Sequence, residues 1–304
     1  MNSPTSRLSA IAPHDGDHSF LTNIASTPDG DIDLGESALV LAGMDQPRTT
    51  SPTASIYDPI QKRLQHCRDH LTELAQSIAM TGSNAANASA RLSALRAVID
   101  TQEGYRGDAL IHETPEHSNL INTIERRKGD GVALGILYIH SARTQGWTAY
   151  GLGFPDHFLI ALDGGTERII FDPFYGQIIE TAHELRALLK GLHGNGAELL
   201  PEYYAPLENR QILLRIQNDL RLSHAASGHL DKAILISERI LLMAPQTWDL
   251  YEDLGFYYAE TGDFDAALLA LDPYLDHVED PASHQKAVMV AEKIRSREDF
   301  TTLN

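Results

Sequence analysis

His157 and Asp172 bracket the segment HFLIALDGGTERIIFD, and their types and spacing suit the orienting half of a nucleophile–base–acid arrangement. Asp-Gly and Gly-Gly pairs favour two-residue hairpin turns because positive φ is needed there. With the turn at Gly164-Gly165, His157 and Asp172 stand directly opposite each other on one face, their Cβ atoms ~4.5–5.5 Å apart. A carboxylate so placed fixes the imidazole tautomer and favours the imidazolium. A purely structural His–Asp pair on a hairpin is the other reading. A register slip of one residue would put the two side chains on opposite faces.

A base of this kind needs a nucleophile. The single cysteine, Cys67, falls on an apolar helical stripe (Ile60, Leu64, Cys67, Leu71, Leu74, Ile78) between Asp58 and Met80, where it reads as a small buried hydrophobe. One cysteine also excludes an internal disulfide framework, a cysteine-rich zinc site and an iron–sulfur cluster. The 14 histidines include no His-x-x-x-His pair with Glu between, and there is no compact acidic loop of calcium type. His140, inside an apolar helix, reads as a hydrogen-bonded core residue. Gly151 and Gly153 alternate along a strand and open no helix, so no nucleotide site is expected. The expected cofactor is none.

The elements that must position the pair follow from periodicity. Leu34 to Ala42 is predicted as a first helix, followed by a Pro/Thr/Ser patch at Gln46 to Ser55. Further helices are predicted around Ala90 to Asp100 and Ser118 to Arg127. The turn Lys128-Gly129-Asp130-Gly131 then leads into VALGILYIHSA, which is apolar on nearly every face and so is predicted to be a helix buried all round, ended by Gly146. After it the period falls to two: TAYGLGF, HFLIAL and ERIIFDPF read as short strands. Helices followed by strands adjacent in sequence give an α+β layer. Residues 1–30, rich in Ser, Pro, Asp, Gly and Thr, are expected to be a flexible leader.

The last third is helical and internally repeated. Gly228-His229-Leu230-Asp231-Lys232-Ala233 recurs as Gly262-Asp263-Phe264-Asp265-Ala266-Ala267, 34 residues later, with Pro245 at the seam. The period and the small residues resemble the tetratricopeptide repeat. Between Asp249 and Asp280 stand ten acidic residues and no Lys or Arg, interleaved with aromatics. One reading is a solvated acidic face over an aromatic core. The other is a groove for a basic protein or peptide segment, with Tyr251, Tyr258, Asp253 and Glu260 as candidate face residues.

Glu125-Arg126-Arg127-Lys128-Gly129, Leu134-Gly135-Ile136-Leu137-Tyr138, Gly153-Phe154-Pro155-Asp156-His157-Phe158-Leu159 and Phe171-Asp172-Pro173-Phe174-Tyr175-Gly176 occur in this order. With Asp33 to Leu39, Gly104 to Gly107 and the repeats, this series resembles a bacterial family that joins a transglutaminase-like domain to C-terminal tetratricopeptide repeats, the invasion-regulator homologues. The resemblance implies a papain-like α+β core, a buried helix on a small antiparallel sheet, in 31–206, then an all-α repeat region in 207–304. It carries over His157 and Asp172 as catalytic positions.

In active transglutaminase-like enzymes a cysteine begins the buried helix, where the helix N-terminus and a nearby imidazolium lower its pKa. Here Gly129 to Gly135 contains no Cys, Ser or Thr. Relatives keep a Ser around Ala133, and their proline is replaced by Gly131, which loosens the turn. Asp130, the one polar side chain in the window, reads as a helix cap rather than a nucleophile. The expectation is a non-catalytic interaction protein with a remnant dyad. The alternatives are a hydrolase or acyl transferase drawing its nucleophile from elsewhere, and a remnant pocket that binds a peptide end or small amide.

The balance of 24 Lys plus Arg against 42 Asp plus Glu gives a net charge of −18, which disfavours nucleic acid and anionic membrane surfaces. The first twenty residues lack a basic start followed by an apolar run, and nowhere do 18 apolar residues run together, so a cytoplasmic chain is expected.

Overall fold

The computed structural model describes residues 15–46, 59–108 and 118–296. The chain forms two compact units, Pro28–Ile216 and a second in which Gln217–Asn304 is joined by Met1–Thr27. Most of the Pro/Thr/Ser patch lies outside the described residues. Helix α1 (Asp15–Ser26) belongs to the second unit and stands where a flexible leader is expected. It is ordered by burial of Leu21 and Ile24, one turn apart, which the composition of the stretch as a whole conceals.

In the Pro28–Ile216 unit, α2 (Leu34–Met44) starts at Asp33, whose carboxylate accepts the Glu36 N–H at 3.0 Å. Helix α3 (Pro59–Thr81) buries Ile60, Leu64, Cys67, Leu71, Leu74 and Ile78 along one stripe, as the spacing predicts. Helix α4 (Ala88–Arg96) runs on into a π-helical segment, Ala97–Gln102. Strands β1 (Arg106–Gly107) and β2 (Lys128–Gly129) form a short parallel pair, with α5 (Leu120–Arg126) between them in sequence.

Helix α6 (Gly131–Thr144) is the buried helix: α2, α3, α4, α5 and the sheet surround it, which is why its sequence has no polar stripe. Two glycines admit close neighbours. A Cβ at Gly135 would fall 2.3 Å from the Phe158 ring, and one at Gly35 would meet the imidazole of His140 as closely. His140 is half-buried against α2, and burial holds its pKa below the ordinary value.

The sheet is an antiparallel meander of β3 (Thr148–Gly151), β4 (Ile160–Gly164), β5 (Glu167–Asp172) and β6 (Gln177–Ile179). Ile160 and Phe171 pair on the α6 side, where Phe171 meets Tyr138. Ala161 and Ile170 pair on the other side, under α7 (Ala182–His193) with its Leu185 and Leu189.

The turn is not where the glycine pair alone predicts. Gly164 pairs with Glu167, enclosing Gly165-Thr166, so every pair is shifted by two residues from the expected register. Gly165 takes φ +76°, as the first position of a II′ turn requires, while Gly164 remains in the strand. A Cβ on Gly164 would strike the backbone at Ala88, so that glycine serves a close approach to the start of α4. A shift of two preserves the faces; Asp172 pairs with Gln177 of β6, and His157 lies in the loop before β4.

The second unit contains α8 (Asn209–Ala226) from Gln217 onward, α9 (Leu230–Met243), α10 (Trp248–Glu260), α11 (Phe264–His277) and α12 (Pro281–Ser296). Gly228 and Gly262 both take positive φ beyond the ends of α8 and α10, which accounts for the repeated glycine. Ala233 and Ala267 are fully buried at equivalent places in α9 and α11. A Cβ on Gly255 would meet Leu271, so the small residue lets α10 and α11 approach.

Candidate functional site: a His–Asp pair

The loop bearing His157 is tightly held. Asp156 adopts the left-handed conformation (φ +52°), which Asp tolerates better than bulky residues, and its carboxylate pairs with His193 at the end of α7 (3.2 Å). Arg215 donates to the Phe154 carbonyl at 2.8 Å and lies over the Phe158 ring.

His157 Nε2 and the Asp172 Oδ2 atom are 2.7 Å apart. Asp172 is buried, and its other oxygen accepts the N–H groups of Phe174 (2.9 Å) and Tyr175 (3.0 Å). The carboxylate therefore closes the β5–β6 turn as well as holding the imidazole. Tyr175 stacks on the His157 ring (centroids 5.8 Å apart, planes 17° apart) while remaining 63% exposed. The structure thus brings the two predicted residues together, although not as cross-strand partners. Because Asp172 takes Nε2, Nδ1 is the nitrogen left to face a reacting group.

The start of α6 reaches the same corner. A side chain at Gly131 would lie in ordinary contact with Phe158 and Phe174, the neighbours of the pair. Asp130 is the N-cap: its buried carboxylate accepts the Ala133 N–H at 2.6 Å. Burial raises its pKa, opposed first by the hydrogen bond from the Ala133 N–H; Oδ1 caps the helix, while Oδ2 is buried with no hydrogen-bond partner among the described residues. Val132 and Ala133 complete the turn with apolar side chains, both buried. Among the described residues, the His157 side chain has Asp172 as its hydrogen-bond partner and no hydroxyl or thiol.

Cys67 supplies no substitute. It is fully buried on α3, burial pushes its thiol up to about 11, and the charges that act on it belong to Glu125, Arg63, Arg127 and Arg68. At neutral pH it is a thiol rather than a thiolate. No group of three His, Cys, Asp or Glu among the described residues is arranged to hold a metal.

The repeat-face candidates divide. Tyr251 and Tyr258 are 1% and 6% exposed, so they are core residues and not groove residues. Their rings wedge the helices together, and the Tyr258 hydroxyl donates to the buried Glu238. Asp253 reaches solvent but is paired with Arg221 at 2.8 Å. Glu260 is exposed at the end of α10. The roles of Tyr175, Asp156 and Arg215 are not legible from the sequence alone. The first two lie inside motifs that carried the resemblance, while Arg215 gives no local signal.

Comparison with known proteins agrees with the fold. Residues 65–218 match the family model described as transglutaminase-like superfamily, and residues 220–296 match one described as tetratricopeptide repeat. A UPF0162 protein of Xylella fastidiosa is 28% identical over 257 residues, covering 83% of this chain and 86% of its own. Protein SirB1 of Salmonella typhimurium is 22% identical over 240 residues, covering 78% and 84%. A UPF0162 protein of Vibrio cholerae is 28% identical over 198 residues, covering 64% and 72%. No described helix is long and apolar enough to cross a membrane.

Proposed function

Since this chain belongs to the transglutaminase-like superfamily, we propose that it is a non-catalytic interaction protein of the bacterial cytoplasm, built on a transglutaminase-like domain whose nucleophile is lost. The observation that carries this reading is the start of α6. Gly131, Val132 and Ala133 offer no side-chain atom that could attack a carbonyl, and Asp130 caps the helix through Oδ1. Acyl transfer needs a nucleophile within hydrogen-bond reach of its base, and the His157 side chain has only Asp172 as a partner among the described residues. The repeats supply the surface for a protein partner, with Glu260, Asp249 and Asp272 as exposed acidic side chains suited to a basic segment.

The test is activity profiling of the purified chain with thiol-reactive probes and amine donors. The expected result is no labelling that depends on His157, because Cys67 is sealed and protonated. Covalent labelling that disappears in His157→Ala, at any residue, establishes a working enzyme and removes the proposal.

A further inference from the structure

The second unit contains a helix that the repeats do not supply. Helix α1 packs on α9, although nearly two hundred residues of the other unit separate them in sequence. The repeat itself provides a control. Glu238, Leu242 and Met243 of α9 correspond, 34 residues on, to Asp272, Asp276 and His277 of α11. In α11 these places are exposed; in α9 all three are buried, Glu238 against Tyr258 of α10, and the eight consecutive residues from Ile236 to Met243 are all buried. A repeat helix whose outer residues are Leu and Met is built to be covered.

The cover itself is weak. Helix α1 has 12 residues (DGDHSFLTNIAS), a length at which isolated helices are marginal in water. Asp, Gly, His, Ser, Thr and Asn, all poor helix formers, make up most of it. The Thr22 and Ser26 hydroxyls bond back to carbonyls one turn earlier, a habit that slightly destabilises helices. His18 Nδ1 is buried with no hydrogen-bond partner among the described residues, a cost incurred only while α1 is docked. Against this stand two fully buried anchors, Leu21 and Ile24.

We propose that the face of α9 under α1 is a docking site for an amphipathic helix, and that α1 occupies it in cis as a releasable cap. The partner it fits is a helix with the chemistry of α1, two aliphatic anchors one turn apart on an otherwise polar surface, seated as a helix in a groove. Opening of α1 uncovers the part of α9 beneath it and admits such a helix. This inference stands apart from the dyad and survives if the chain proves to be an enzyme.

Amide hydrogen exchange on the full chain tests it. Residues 17–26 should exchange roughly 100-fold faster than 236–243, through opening of α1 alone. In full-length Leu21→Asp, α1 should lose its protection while 248–277 keep theirs, and a fluorescent peptide of residues 13–28 should bind at least ~10-fold tighter than to the unaltered chain. Equal exchange of α1 and α9 in the unaltered chain overturns the releasable cap whether or not the variant folds. Loss of protection throughout 217–296 in the variant overturns it too, since α1 would then belong to the cooperative core. A folded, opened variant that ignores the peptide overturns the docking site.

Discussion

Each unit contains a hydrogen-bonded pair with a buried carboxyl, and the two are used differently. At the sheet corner, His157 and Asp172 meet under an exposed Tyr175, and the imidazole keeps one nitrogen free of the carboxylate. In the repeats, Glu238 and Tyr258 meet with neither partner accessible. The first pair has the accessibility of a site and the second does not, although both stand on residues that look functional in sequence. The sheet pair teaches a second point. Asp172 holds two backbone N–H groups besides the imidazole, so the fold retains it whether or not any reaction is performed. Persistence of the dyad is thus weak evidence for catalysis, and the state of the helix start is the stronger evidence.

This comparison breaks if the two halves of the dyad matter equally to stability. Asp172→Ala should be the most damaging change, leaving two N–H groups and His157 without their acceptor at a cost of about 3–5 kcal/mol. His157→Ala, at the margin of the corner, should cost about 1 kcal/mol. Denaturant unfolding of the two variants checks the ratio; equal losses would mean that the imidazole, and not the turn, is what Asp172 is kept for. On the other side, Tyr258→Phe should cost about 1–3 kcal/mol because it strips the donor from buried Glu238, whose pKa burial already raises. Adding Glu238→Leu should recover part of that loss, as expected when the penalty is an unpaired polar group. No recovery would mean the pair is net stabilising and the repeat core depends on it.

Much of this was legible in the sequence, for physical reasons that can be named. The stripe of α3 and the all-round apolar run of α6 are local patterns, and each was readable because a single helix settles which faces are buried. The meeting of His157 with Asp172 was legible, but the register was not, because the demand on Gly164 comes from Ala88, far away in sequence. Helix α1 was hidden for the same reason: its polar composition gives no helix signal, and the surface that orders it belongs to α9. Tyr251 and Tyr258 were ambiguous because the same aromatic residues serve as wedges and as recognition groups, and only packing separates the two. The second task of Asp172 at the turn has no sequence signature beyond the Asp-Pro pair at the end of β5.

A change of pH sharpens the contrast between an accessible corner and a buried repeat core. His224 of α8 is 8% exposed, its Nδ1 has no partner among the described residues, and burial lowers its pKa from 6.5 to about 4, with the charges of Lys232 and His229 adding to the shift and Asp231 opposing it. A histidine held neutral in the fold binds fewer protons than in the unfolded chain between these two values. Its stabilising contribution is complete above 6.5, is lost progressively as pH falls toward 4, and changes no further below that. The loss should be on the order of 1–3 kcal/mol, seen as a lower unfolding temperature at pH 4.5 than at pH 7. His224→Gln should flatten this slope without changing the pH 7 value by more than about 1 kcal/mol. A slope that persists unchanged in that variant would place the titrating group elsewhere and show that the repeat core is more open to protons than its burial implies.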